Sequence, residues 1–268
     1  MRALVTGATG LIGSQLTAVL RATGVKVRAA GRSVSADDLA GVDVLFVHPR
    51  AVGLGAAELV KRAAESGVRR VVVLSAVNVD DDPELQPSRW NGDRNKEVED
   101  AVTTGELPWV AVRSASFATN TIGMYGAQLR AGDIVRGPYG DFAEALIDDA
   151  DLAAVLAHTV ITDAYDGQRL SVTGPQSLSQ KELVTIIGEV IGRPLRFEEV
   201  PPEVAVRGMI ANGLPEAFAM ALMRRYARGA GPAEAVTGTV QHLLCKPART
   251  FADWVAAHQG VMSGRSSA

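Results

Sequence analysis

The chain is poor in cysteine and in aromatic residues, has no excess of positive charge, and contains no long apolar run. Each absence excludes something. A single cysteine, Cys245, cannot form an internal disulfide, so the fold has no covalent staple and suits a reducing cytoplasm. Cys245 itself reads as a small packed residue rather than a reactive thiol. With 27 Lys plus Arg against 30 Asp plus Glu, the net charge of −3 offers no basic field to nucleic acid or to a membrane surface. No stretch of about 18 apolar residues is present to span a bilayer. Strand-like residues begin at Ala3, which leaves no room for a cationic, apolar leader. The expected setting is therefore cytoplasmic, and the expected partner is a small molecule.

What is present is a core built from small side chains. Apolar residues make up 47% of the 268 residues and aromatic ones only 5%, which fits an Ala/Val/Leu-rich globular protein. Organisation starts at the N-terminus, where MRALVTGATGLIG carries an apolar run, glycines at 7, 10 and 13, and then apolar periodicity at Leu11, Ile12, Leu16, Val19 and Leu20. That pattern is strand, tight turn, helix. A diphosphate binds where a helix N-terminus presents unpaired N–H groups, provided no side chain holds the ligand away. Gly7 would make the turn, Gly10 admit the phosphates, and Gly13 let the helix lie on the strand. The motif predicts a bound dinucleotide.

Further along, VKVRAA (25–30) reads as a second strand, followed by Gly31 and Arg32. The residue just past this strand lies beside the adenosine ribose, where an Arg pairs with a 2′-phosphate, so Arg32 predicts NADP(H) in preference to NAD(H). Only a short segment separates Arg32 from the apolar run 44–47. A parallel crossover needs about a dozen residues, so the third strand or its crossover is expected to be shortened or missing. His48, at the end of run 44–47, is either a cofactor contact or a satisfied loop histidine.

The run RRVVVL (69–74) has the apolar continuity of a buried parallel strand, and Ser75 is expected to end it. Its hydroxyl either reaches the crevice as a substrate donor or satisfies strand-end backbone. Consecutive acids at 80–82 cannot converge on one ion as alternate loop positions do, so no metal site is expected. Trp90 in the polar loop is either a hinge anchor or a substrate wall. A strand at 109–112 ends in Arg113, expected to anchor structure, and leads through the turn SASFATN into a Gly-rich connection. Ser179 with Glu182 three residues later has capping-box character.

TGATGLIG, the GR after the second strand, VVVLSA, WVAVRSASFATN and ALIDDADLAAV together resemble the NmrA-like group of the atypical short-chain dehydrogenase/reductase superfamily. The resemblance covers nearly the whole chain. It implies an α/β fold: a Rossmann doubly wound parallel sheet with a small C-terminal substrate lobe. Residues 1–119 with 144–174 would form the dinucleotide domain, 120–143 with 175–260 the lobe, and 261–268 a frayed tail. Carried over by residue, Thr6, Gly7, Thr9, Gly10, Leu11, Ile12 and Gly13 match the phosphate turn, Arg32 the 2′-phosphate site and Ser75 the serine after the fifth strand; His48, from its place after run 44–47 alone, is a further candidate cofactor contact. Phe117 and Asn120 match the turn facing nicotinamide and substrate, with Trp90 as a further pocket residue. Ser75 and Asn120 are the candidate catalytic groups.

One departure bears on chemistry. Carbonyl-reducing relatives use Tyr-x-x-x-Lys, the lysine lowering the tyrosine's pKa so that the phenol can supply a proton. Alignment on the helix containing Glu99 puts Asn91 and Asn95 at those positions. The expectation is an NADPH-dependent oxidoreductase that passes hydride to a conjugated quinone, enone or polyketide-like molecule. The alternatives are a non-catalytic NADP(H) sensor and a redox-neutral isomerase or cyclase.

Overall fold

The computed structural model describes residues 1–229 and 235–263. The chain runs β1 (Arg2–Thr6), α1 (Leu11–Ala22), β2 (Lys26–Ala30), α2 (Ala36–Leu39), β3 (Val44–Val47), α3 (Pro49–Val52), α4 (Ala56–Glu65) and β4 (Arg70–Ala76). It continues through α5 (Pro87–Trp90), α6 (Asn95–Thr103), β5 (Trp109–Ser114), α7 (Asn120–Ala131), β6 (Ile134–Gly137), β7 (Ala143–Glu144), α8 (Asp149–Ile161) and β8 (Gln168–Val172). Last come β9 (Leu178–Ser179), α9 (Gln180–Ile191), β10 (Arg196–Glu199), α10 (Pro202–Ala211), α11 (Glu216–Gly229), α12 (Thr239–Leu244), α13 (Phe251–Ala257) and α14 (Gln259–Met262).

Six strands form one parallel sheet in the order β2-β1-β3-β4-β5-β8. The chain leaves β1 to one side and returns to its other side at β3, and this reversal opens the crevice where α/β sheets bind ligands. β2 is the terminal strand, as the short segment after Arg32 predicted. In place of a further strand there is the single turn of α2. Arg28 on β2 holds it by donating to the carbonyls of Asp37, Asp38 and Ala40.

Alternation along each strand sorts the core into two layers. Val72, Leu74, Val110 and Val112 face α1 and α8, whereas Val71, Val73 and Ala111 face α4 and α6. A third core gathers Tyr125, Leu129, Ile187, Trp254 and Met262 into the small lobe. That lobe carries the parallel pair β6-β10 and the antiparallel pair β7-β9, and the Ser179–Glu182 capping box forms at the start of α9. Among the described residues no helix is long and apolar enough to cross a membrane.

The structure changes several local expectations. The segment read as a Gly-rich connection (126–142) holds the second half of α7 and all of β6; the helix forms because Tyr125 and Leu129 bury themselves in the lobe and outweigh the low helix propensity of Gly123 and Gly126. Residues 239–244, placed with the lobe on sequence, form α12, whose Val240 and Leu243 belong to the core between sheet and α8. Cys245 is exposed, not packed: it caps α12 in the left-handed conformation at φ 54°. Of the expected frayed tail, Met262 is fully buried on α14, and 264–268 lie outside the described residues.

Candidate functional site

At the exit of β1, Gly7 takes φ +65°, and a Cβ there would lie 3.1 Å from His48 Cβ and 3.3 Å from Ala51 Cβ. Gly13 is tighter. A Cβ on it would lie 2.1 Å from the Gly7 carbonyl oxygen, so only glycine lets α1 rest on the turn. Gly10 N-caps α1 without a side-chain cap, and no acid occupies the first helical turn. The N–H groups of Leu11, Ile12 and Gly13 have no acceptor among the described residues. Free donors at the positive end of a helix, with a glycine cradle before them, fit a diphosphate.

Thr9, Gly10 and Leu11 form the exposed surface of this turn, while Thr6 and Ile12 lie beneath it. The Thr6 hydroxyl works inside the fold. It donates to the Phe46 carbonyl at 3.1 Å and accepts from the His48 N–H at 2.8 Å, tying β1 to β3 across the crevice. Thr6 thus shapes the turn by its hydroxyl rather than offering it to a ligand. Arg32 lies two residues past the end of β2, is exposed, and has no hydrogen bond or ion pair among the described residues. His48 caps α3, its Nδ1 accepting from the Arg50 N–H at 3.2 Å. Burial lowers its pKa against the opposing charge of Asp93, so the ring beside Gly7 is neutral at neutral pH.

Ser75 departs from its expected placement. It lies inside β4, which runs on to Ala76, and is only 2% exposed. Its hydroxyl donates to Glu99 Oε2 at 2.5 Å, serving neither strand-end backbone nor an open crevice. Glu99, on α6, also accepts from Arg113 at 2.5 Å and from Arg169 at 2.9 Å. Burial on its own would raise the Glu99 pKa, but the hydrogen bonds from Arg113, Ser75 and Arg169 outweigh it and hold the carboxyl below its ordinary value. Arg113 reaches on to Asp80 at 2.8 Å, which fixes the loop after β4. The structural role read for Arg113 matches this arrangement. Glu99 was not singled out on sequence, although an acid between Val98 and Val102 on a buried helical face is a visible cue.

Trp90 ends α5 and is 46% exposed. Phe117 is half-buried against the sheet core and bridges to Ile147. Asn120 is exposed at the first position of α7. A second unforeseen network joins β5 to the lobe: Glu144 accepts from Ser116 at 2.7 Å and from Arg225 at 2.8 Å, and the Arg225 guanidinium lies over the Phe142 ring. Asn91 is exposed in the loop, and Asn95 is buried at the first position of α6. Lys96 pairs with Asp100 at 2.5 Å and with Asp80 at 3.9 Å. Tyr125 and Tyr226 have phenols pushed up by burial and by Glu144, opposite to what a proton-donating tyrosine needs.

Residues 3–89 match the model of the NAD dependent epimerase/dehydratase family. A (4-alkanoyl-5-oxo-2,5-dihydrofuran-3-yl)methyl phosphate reductase from Streptomyces griseus subsp. griseus is 33% identical over 95% of this chain and 97% of its own. An NAD(P)H azoreductase from Xenophilus azovorans is 30% identical, again over 95% and 97%. Among solved structures, an NADPH-dependent quinone oxidoreductase from Escherichia coli complexed with NADPH superposes with a TM-score of 0.80 at 21% identity, covering 97% of this chain and all of that one.

Proposed function

The chain belongs to the NmrA-like group of the atypical short-chain dehydrogenase/reductase superfamily, and from that premise and its likeness to these two reductases we propose that it is an NADPH-dependent reductase of conjugated small molecules. The observation that carries the reading is the glycine cradle with three free N–H donors at the start of α1. Leu11, Ile12 and Gly13 would donate to the diphosphate, and Arg32 would pair with the 2′-phosphate that distinguishes NADPH. When bound, the dihydronicotinamide supplies a hydride.

The chain's own groups restrict what can accept it. Asn91 and Asn95 stand where a tyrosine and lysine would deliver a proton, and Ser75 is committed to Glu99. An acceptor whose negative charge spreads over a quinone or enone needs no enzyme-borne acid, since water can protonate the product. The Streptomyces griseus relative's name describes a ring whose C=C is conjugated to carbonyls, and the Xenophilus azovorans relative's name an azo reduction, which supports the same class. Positioning of donor and acceptor then supplies most of the rate. NADPH oxidation measured against quinones, enones and plain ketones tests the reading, with turnover expected for the first two groups. Turnover of plain ketones with quinones and enones inert would overturn it.

A further inference from the structure

Asn95 is an unusual residue for its place. It is 9% exposed, yet its carboxamide makes no hydrogen bond among the described residues. Nor is it sealed away, because its polar atoms are absent from the buried orphans, which are Thr17 Oγ1, Arg62 Nε, Arg70 NH2, Asp149 Oδ1 and Ser177 Oγ. Its neighbours on the first turn are all committed. Lys96 pairs with Asp100 and Asp80, and Glu97 with Arg89.

Its position follows from helical geometry. Asn95 and Glu99 are four residues apart and so share one face of α6, about 6 Å apart along its axis. Glu99 grips Ser75, the last but one residue of β4. α6 runs antiparallel to β4, since it follows that strand and leads back to the start of β5. Asn95 therefore lies one helical turn beyond Ser75, at the C-terminal edge of β4. That edge is the ligand-binding side of the sheet. A nearly buried amide there, with no hydrogen-bond partner among the described residues and polar atoms that are not sealed off, keeps a donor and an acceptor unused.

We propose that the Asn95 side-chain N–H donates to the carbonyl oxygen of the conjugated acceptor and holds the negative charge that develops there. The proposal rests on the reductase reading given above. In the step, the acceptor gains a hydride at the far end of its conjugated C=C. The C=C electron pair moves to become the enolate, whose oxygen carries the charge. NADPH is oxidised to NADP⁺, and water adds a proton to complete the reduced product. Asn95 stays neutral throughout, binding the oxygen more tightly as it becomes an anion. Unlike the lysine it replaces in the alignment, an amide cannot lower a neighbouring phenol's pKa or donate its proton outright.

Asn95→Ala and the isosteric Asn95→Asp test this, each read by steady-state kinetics on a quinone or enone, by fluorescence titration of NADPH and by thermal melting. Asn95→Ala is expected to lower kcat by about 100-fold, the usual effect of removing one oxyanion donor. Asn95→Asp is expected to lower it further by placing a carboxylate beside the developing charge, and NADPH affinity should hold within about threefold in both. Asn95→Asp keeps the shape, so it decides the matter should the alanine variant fold poorly. Unchanged kcat in Asn95→Asp would overturn the proposal, as would an equal loss of NADPH affinity, which would assign Asn95 to the cofactor. An active wild type with an unaffected variant refutes Asn95 alone. A wild type inactive on every conjugated acceptor refutes the reductase reading and this role with it.

Discussion

Removing the Glu99 carboxylate should destabilise the protein more than any single surface charge, and the structure allows the effect to be worked out. Glu99 has a side-chain exposure of 2% and is bonded to Ser75, Arg113 and Arg169 at once. Glu99→Ala would leave the Arg113 guanidinium, 16% exposed, with Asp80 alone, and would strand the Ser75 hydroxyl in the core. Breaking one side of a buried pair costs about 3–5 kcal/mol. At roughly 2–4 °C per kcal/mol for a chain of this size, melting should fall by on the order of 10 °C. The pH dependence gives a second, independent reading. Because the folded pKa lies below the ordinary glutamate value of 4.5, the stabilisation is present above that pH and is lost as pH falls through the folded pKa. Wild type should therefore lose stability below about pH 4.5, where Glu99→Gln should lose less. Calorimetric melts at neutral and acid pH measure both effects. Melting of Glu99→Ala within about 2 °C of wild type at neutral pH would refute the role assigned to this cluster.

Arg32→Ala should weaken NADPH binding by about 10- to 150-fold, the equivalent of 1.5–3 kcal/mol for an Arg–phosphate pair, while leaving NADH nearly unchanged; equal losses in parallel titrations would show that Arg32 reads no phosphate. Gly13→Ala should weaken both nucleotides by at least about tenfold, since its Cβ would lie 2.1 Å from the Gly7 oxygen and must displace the turn; titration of either nucleotide checks it. Asp149 has a pKa raised by burial, with Thr119 and Trp254 opposing, so its protonated form favours the fold. Its contribution is complete below the unfolded pKa, about 3.9, and is lost as pH rises through the folded one, so melts followed upward from about pH 3 should show a decline that Asp149→Asn lacks. Cys245→Gly should raise the melting temperature by about 2–4 °C by relieving an exposed left-handed residue of roughly 1 kcal/mol.

The parts of this protein that were legible in sequence are those fixed by local geometry. Gly7, Gly10 and Gly13 can be read because a strand-turn-helix junction admits no other residue at 7 and 13, whatever the rest of the chain does. The absent strand beyond β2 was likewise a matter of length between Arg32 and Val44. What escaped reading depends on partners distant in the chain. Ser75 reads as either a crevice donor or a strand-end backbone bond, because strand position alone cannot reveal that Glu99, on the following helix, takes its hydroxyl. The same holds for α7, which forms because Tyr125 and Leu129 find a core shared with Trp254. Cys245 was judged by residue type, whereas its surroundings are set by the end of α12.

The capture of Ser75 also bears on chemistry. A carbonyl reductase of this fold needs a hydroxyl to orient the carbonyl and an acid to protonate the alkoxide, because an alkoxide is too basic to leave unprotonated. Here the strand-end serine is locked under Arg113 and Arg169 by Glu99, and the buried phenols of Tyr125 and Tyr226 are pushed toward weaker acidity. Freeing the serine therefore offers a direct test of how far the scaffold has moved from that chemistry. Glu99→Gln replaces the charged acceptor of the Ser75 hydroxyl with a neutral amide of the same size, so the hydroxyl is held more weakly and no cavity opens. If acceptor choice is set by the missing proton donor, Glu99→Gln should still reject plain ketones in an NADPH-oxidation assay while keeping quinone turnover within about tenfold of wild type. Ketone reduction appearing in this variant would show that Ser75, not the absent acid, was the limiting group.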